Sequence, residues 1–214
     1  MRLCMWSWHI GRKKKDSMMG RYKQTIAPTL WPITLAEAKT QCFVADTTDH
    51  DADLTNLLKV ATFAVEKRLN RQIMPATWTL TLDGFPSGAI QIDKPPVSAI
   101  SSVAYTDEAG DAQTWSSDYY QTDLSTNDGP ARILPAEGYS WPSTQADTFG
   151  TLVVTFTAGY ATAALVPLMI KHAIAFLVAH WWRNREPIVI GTITANLPAG
   201  LDMLLSLDDW GAYG

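Results

Sequence analysis

Four places in this 214-residue chain carry side chains that could do chemistry: the acid run "DTTDHDAD" (46–53), the pair His172 and His180, the mixed "HWWRNRE" (180–186), and "GYSWP" (138–142). The acid run lacks the central glycine and the closing glutamate of a calcium loop, so it reads as a helix start, where carboxylates favour the dipole. His172 and His180 are two helical turns apart, about 12 Å along the rise, too far to share one metal without further ligands. "GYSWP" lacks the glycine that follows a nucleophilic serine in a strand-turn-helix corner. In "GRKKK" (11–15) the glycine has neither a preceding strand nor the second glycine of a phosphate loop. "HWWRNRE" offers an aromatic and cationic patch without a paired base. The expectation is a protein that is not an enzyme and uses no metal or cofactor.

The elements that would position these residues change period along the chain. Thr34 with Glu37 forms a capping-box pattern ahead of the apolar Ala36, Ala38 and Phe43, which predicts a short helix from about Leu35 to Val44. Asp49, Asp51 and Asp53 then open an amphipathic helix, with Leu54, Leu57, Leu58, Ala61, Ala64, Val65 and Leu69 at helical spacing. The two helices pair as a hairpin over 31–73. From Pro75 the period becomes two: Trp78, Leu80 and Leu82 alternate with threonines. Similar runs at 89–92, 99–107, 111–115, 118–123, 131–134 and 151–160 are separated by turn signals such as "DEAGD" and "TNDGP". They predict an antiparallel insertion of six or seven strands over 74–160. Helical spacing returns over 161–207, with a long helix and a short one at "PAGLDMLLSL" (198–207), before the tail "DDWGAYG" (208–214). The fold class expected is α+β, a helical bundle of two N-terminal and two C-terminal helices with an inserted antiparallel β domain.

Charge is unevenly spread. Residues 1–23 hold seven Lys and Arg against Asp16, so +6 there stands against −10 in the remainder, for a net −4. A basic arm (1–30) that includes Arg12, Lys13, Lys14, Lys15 and Arg21 is expected to meet something anionic. Its charges follow only a short apolar patch, so a signal peptide is not expected. Two distant cysteines, Cys4 and Cys42, offer no disulfide framework.

The most apolar segment, 163–191, poses the main question. Pro167, Lys171, His172 and His180 interrupt it, and a lysine near a bilayer centre costs about 2.5–3.5 kcal/mol, so it is not read as a membrane span. Ile170, Ala173, Ile174, Leu177, Val178 and Trp181 form one stripe, with Lys171, His172, Ala175 and Ala179 on the other side. Met169, Phe176, His180 and Trp182 point elsewhere, and a second partly apolar face calls for a partner.

Taken in order, "PITLAEAK" (32–39), the acidic helix start, "TWTLTLDGFP" (77–86), "IDKPPVSAISSVAYTDEAG" (92–110), "YSWP" (139–142), "VVTFTAGY" (153–160), "VPLMIKHAIAFLVAHWWRNRE" (166–186) and "IGTI" with "LPAGLDMLL" (190–205) resemble the tailed-phage head–tail connector (adaptor) proteins of the phiE125 gp8 and gp6-like type. The resemblance spans about residues 30–207. It implies a structural adaptor in the virion neck, made in the bacterial host cytoplasm. Subunits would form a ring, usually a dodecamer, that docks below the portal protein, extends the channel for genomic DNA and links it to the stopper or tail-completion protein. Phe176, His180, Trp182, Arg183 and Arg185 are then expected at the subunit interface, and Leu201, Leu204, Trp210 and Tyr213 at the portal. An acidic body suits a conduit through which DNA slides without specific binding. Two rival readings are a carbohydrate- or protein-binding β module with Trp78, Trp115 and Trp141 as an exposed platform, and a DNA-packaging accessory enzyme, which would need clustered carboxylates for metal.

Overall fold

The computed structural model describes residues 20–124 and 129–184. Three α-helices and eight strands make up the described part, and the strands form two antiparallel sheets. The mixed α and β character and the antiparallel insertion are as expected. The short helix expected at 198–207 lies outside the described residues, as do Arg12, Lys13, Lys14, Lys15, Arg185, Leu201, Leu204, Trp210 and Tyr213.

Helix α1 (Leu35–Gln41) starts on a capping box: the Glu37 N–H donates to Thr34 Oγ1, and the Glu37 carboxylate accepts the Thr34 N–H at 2.6 Å. The Thr34 N–H, and after it the Thr34 hydroxyl, which donates to the same carboxylate at 2.8 Å, hold the Glu37 carboxyl below its usual range. Helix α2 (Asp51–Leu69) follows, tied to α1 by Lys39 Nζ and Asp51 Oδ1, 2.8 Å apart. Helix α3 (Leu168–Arg183) completes the bundle, and Leu54, Leu58, Val65 and Leu69 of α2 pack with Ile170, Ile174, Leu177 and Val178 of α3 around Ala38 of α1. Ala179, expected on the outer side of α3, is buried in the core that the three helices share, where a methyl permits close approach. Trp181, expected to continue the buried stripe, is half-buried at its end.

The strands are β1 (Arg21–Ile26), β2 (Ala76–Leu82), β3 (Ile90–Ile92), β4 (Val97–Thr106), β5 (Ala112–Trp115), β6 (Tyr120–Asp123), β7 (Ala131–Pro135) and β8 (Leu152–Ala158). One sheet runs β1-β2-β8-β4-β5 and the other β3-β7-β6. Leu80, Val103, Val154 and Phe156 of the first share a core with Ile90, Ile92 and Ile133 of the second, so the two sheets form a sandwich.

Strand β1 corrects the expected arm. Residues 21–26, and Arg21 with them, pair with β2 from Arg21↔Thr81 onward. Tyr22 is the anchor: its ring lies edge-on to Phe156 at 6.4 Å, and its hydroxyl accepts the Asp93 N–H at 2.8 Å. Burial raises its pKa to about 12. Arg21 lies 3.8 Å from Asp83, with both side chains largely in water.

The chain leaves the bundle through β2 and returns through β8, which are direct neighbours with Ala76 opposite Ala158. At that junction the Tyr160 N–H donates to the Ile73 carbonyl at 2.9 Å and the Gly159 N–H to the Pro96 carbonyl at 2.8 Å. Gly159 has φ 114°, and a Cβ there would collide with the Met74 carbonyl. A polar cluster fills the corner: Glu66 accepts the Ile73 N–H at 2.9 Å and Gln72 Nε2 at 2.6 Å, while Gln72 Oε1 accepts Trp78 Nε1 at 3.0 Å. Burial raises the Glu66 pKa, against those bonds and the charge of Lys94. Burial lowers that of Lys94, whose Nζ sits 5.1 Å above the Trp78 ring.

Candidate subunit-contact surface

Helix α1 ends earlier than its apolar pattern predicts, and the difference exposes a ring. Cys42 is the C-cap; the Phe43 N–H donates to the Thr40 carbonyl at 3.1 Å and the Val44 N–H to the Lys39 carbonyl at 3.0 Å. Those two bonds are a Schellman motif, whose left-handed position normally holds glycine. Here it holds Phe43, at φ 60° and 82% exposed. Expected as an apolar helix residue, Phe43 instead stands outward at the corner between α1 and α2. The Arg183 guanidinium lies over its ring, 5.6 Å from the centroid.

A groove of about 460 Å³ opens at the same end of the bundle, lined by Asp53, Asn56, Leu57 and Val60 of α2 and by Trp181, Trp182 and Asn184 at the end of α3. Val60 and Phe63 continue its apolar side along α2, both more than half exposed. Lys67 lies over Phe63 at 5.4 Å, which keeps that ring partly covered by a cation. Leu168, at the opposite end of α3, is exposed as well.

The structure brings some of the expected interface residues together. Trp182 is half-buried, edge-on to the His50 ring at 4.9 Å, and lines the groove. Arg183 is exposed beside Phe43, and His180 is half-buried one turn before Asn184, whose side chain donates to the His180 carbonyl at 2.9 Å. Phe176 is set apart, half-buried and packed on the bundle core. Phe43, Val60 and Phe63 were missed: their signal lay in the αL position after a helix end and in apolar residues off the core stripe of α2.

The aromatic platform of the binding-module reading does not form. Trp115 is 8% exposed and packs between Phe85, Tyr120 and Trp141; Trp141 Nε1 donates to the Gly88 carbonyl at 3.0 Å; Trp78 turns into the Gln72 corner. Among the described residues no group of three or more His, Cys, Asp or Glu is placed to hold a metal, and no helix is long and apolar enough to cross a membrane.

A profile for one protein family matches residues 32–132, the stretch that runs from α1 to the start of β7: Phage gp6-like head-tail connector protein. A head–tail connector is what this chain resembles. Solved structures extend the likeness in fold beyond that stretch. A chain of the "Virion of native gene transfer agent (GTA) particle" is 21% identical with a TM-score of 0.70, covering 87% of this chain and 93% of that one. A chain of the "Neck of empty GTA particle computed with C6 symmetry" is 22% identical with a TM-score of 0.69, covering 89% and 94%. A third, from the "Neck of native GTA particle computed with C12 symmetry", is 22% identical with a TM-score of 0.61, covering 89% and 94%. No curated protein matches. The family resemblance read from the sequence is thus borne out by the profile, and the solved structures show the fold that this chain shares with them.

Proposed function

We propose that this protein is a structural head–tail connector of a tailed-phage-like particle: a ring, most simply of twelve copies, seated below the portal and continuing its channel toward the stopper and tail. The observation that carries the reading is the match of residues 32–132 to the connector family, joined to a fold shared with neck proteins of particles solved with C12 and C6 symmetry. The bundle end fits the role of a subunit contact, because Trp182 lines an apolar groove there and Arg183 lies over the exposed Phe43 ring at the same end. The C-terminal segment, with Leu201, Leu204, Trp210 and Tyr213, is assigned to the portal, and the basic run Arg12 to Lys15 to an acidic face of the portal or of a neighbour. Net −10 outside residues 1–23 keeps a DNA lumen from gripping phosphate.

Mixing the purified chain with purified portal, then measuring mass by size exclusion with light scattering and imaging in negative stain, tests the reading. A ring added to one end of the portal is the expected result. A chain that stays monomeric at saturating portal would overturn it.

A further inference from the structure

We infer that Phe43 of one copy seats in the groove between α2 and α3 of the next, with Arg183 beside it meeting Asp53 of that neighbour. The inference rests on the ring proposed above and names the contact that closes it.

Three observations carry it. First, Phe43 is held out at a cost. A left-handed φ of 60° is uncommon for any residue but glycine, and for a bulky side chain it is a real outlier. The Schellman bonds would form as well with glycine there, and nothing in the bundle core gains from a ring that is 82% exposed. An aromatic side chain fixed outward on a strained backbone is the form of a binding anchor.

Second, knob and groove lie at the same end of the bundle and on opposite sides of the α2–α3 pair. Residues two apart on a helix point about 160° apart. On α2, Asp51 turns to α1 through Lys39, while Asp53 lines the groove. On α3, Arg183 lies over Phe43, while Trp181, two residues before it, lines the groove. Both helices therefore place the knob on one flank and the hole on the other, at one level. A cyclic head-to-tail assembly needs that arrangement: two different patches, near-opposite, which closing rotation brings together.

Third, the surfaces are complementary. Leu57, Val60, Trp181 and Trp182 supply apolar walls for a phenyl ring, and about 460 Å³ is roomy enough to take it with the guanidinium alongside. Arg183 on the knob side answers Asp53 on the lip of the groove.

The test uses the full chain with purified portal. Phe43→Gly relieves the backbone, so the monomer's Tm is expected to stay level or rise, while ring yield falls at least tenfold. Asp53→Arg and Arg183→Asp should each cut the yield similarly, and the double variant should restore most of it. With p-benzoylphenylalanine in place of Phe43, irradiated rings should show links between copies that map to 53–60 or 181–184. Rings undiminished by Phe43→Gly and indifferent to the charge swap would overturn this contact and leave the connector reading standing. So would links from the same probe at Val60 that reach only residues 185–214 of their own copy. A wild-type chain that forms no ring on the portal would overturn both.

Discussion

In the sandwich, Phe85 stacks on Trp141 at 4.8 Å and meets Trp115 and Tyr105 edge-on, so rings gathered at one rim close each other off. In the bundle, Phe43, Val60, Phe63 and Leu168 face outward, and the two phenyl rings meet cations instead of each other. Exposed rings exist on the sandwich too, at Phe149 and in the stacked pair Tyr119 and Tyr139, but they sit on connections between strands. The contrast separates two uses of apolar surface. One region spends its large side chains on its own closure; the other keeps several on or beside helices, where a rigid partner can find them.

The hardest way to break the comparison is to open the sealed side. Phe156→Ala removes a fully buried ring between the two sheets and should cost about 3–5 kcal/mol in urea unfolding. A loss below 1 kcal/mol would mean that the sandwich is not closed as described.

Next comes the corner where the two regions meet. Glu66→Ala leaves the Ile73 N–H and the Gln72 amide without their acceptor, a loss of about 1–3 kcal/mol. Glu66→Gln sharpens the point through pH. The folded pKa of Glu66 lies above its unfolded value, so the native state holds the extra proton between the two, and stability is lost as pH rises through that window. The glutamine variant lacks this loss and should gain on the wild type from about pH 4 upward. Parallel denaturation curves at every pH would remove Glu66 as a buried acid.

A smaller effect is expected at the start of α1. Thr34→Ala should cost about 1 kcal/mol at neutral pH by losing the cap to the Glu37 N–H. The Glu37 carboxyl is held below its usual pKa, chiefly by the Thr34 N–H, so its own contribution is present above the unfolded pKa and fades as pH falls through the folded one. Smallest of all, Phe63→Ser on the open face of α2 should change monomer stability by less than about 0.5 kcal/mol. A large drop would show that the ring serves its own copy after all.

How far the fold could be read from sequence follows from the same contrast. Strands β2 to β8 stand within a few residues of their expected places, because alternation such as Trp78, Leu80, Leu82 is what a sheet with one buried face requires. Strand β1 was hidden: "RYKQTI" turns mainly Tyr22 inward and is otherwise exposed, as suits a charged edge strand, and its composition reads as arm. The burial of Ala179 depended on where the neighbouring helices pack, which the periodicity of α3 does not contain. Phe43 escaped for a local reason. An apolar residue at i+7 from Ala36 matches the helical period, and the usual marker of a left-handed cap, glycine, is missing from that position.

The pairing of Ala76 with Ala158 carries one more consequence. To the helices, the entire excursion between those residues is a handle whose two feet stand side by side, so its length weighs on them only logarithmically. Related chains are free to lengthen, exchange or shed it without moving the helices out of register. Such a trade must respect β1, which stitches the handle back to the chain ahead of α1, and the bonds from Gln72 to Trp78 and Pro95 at its feet.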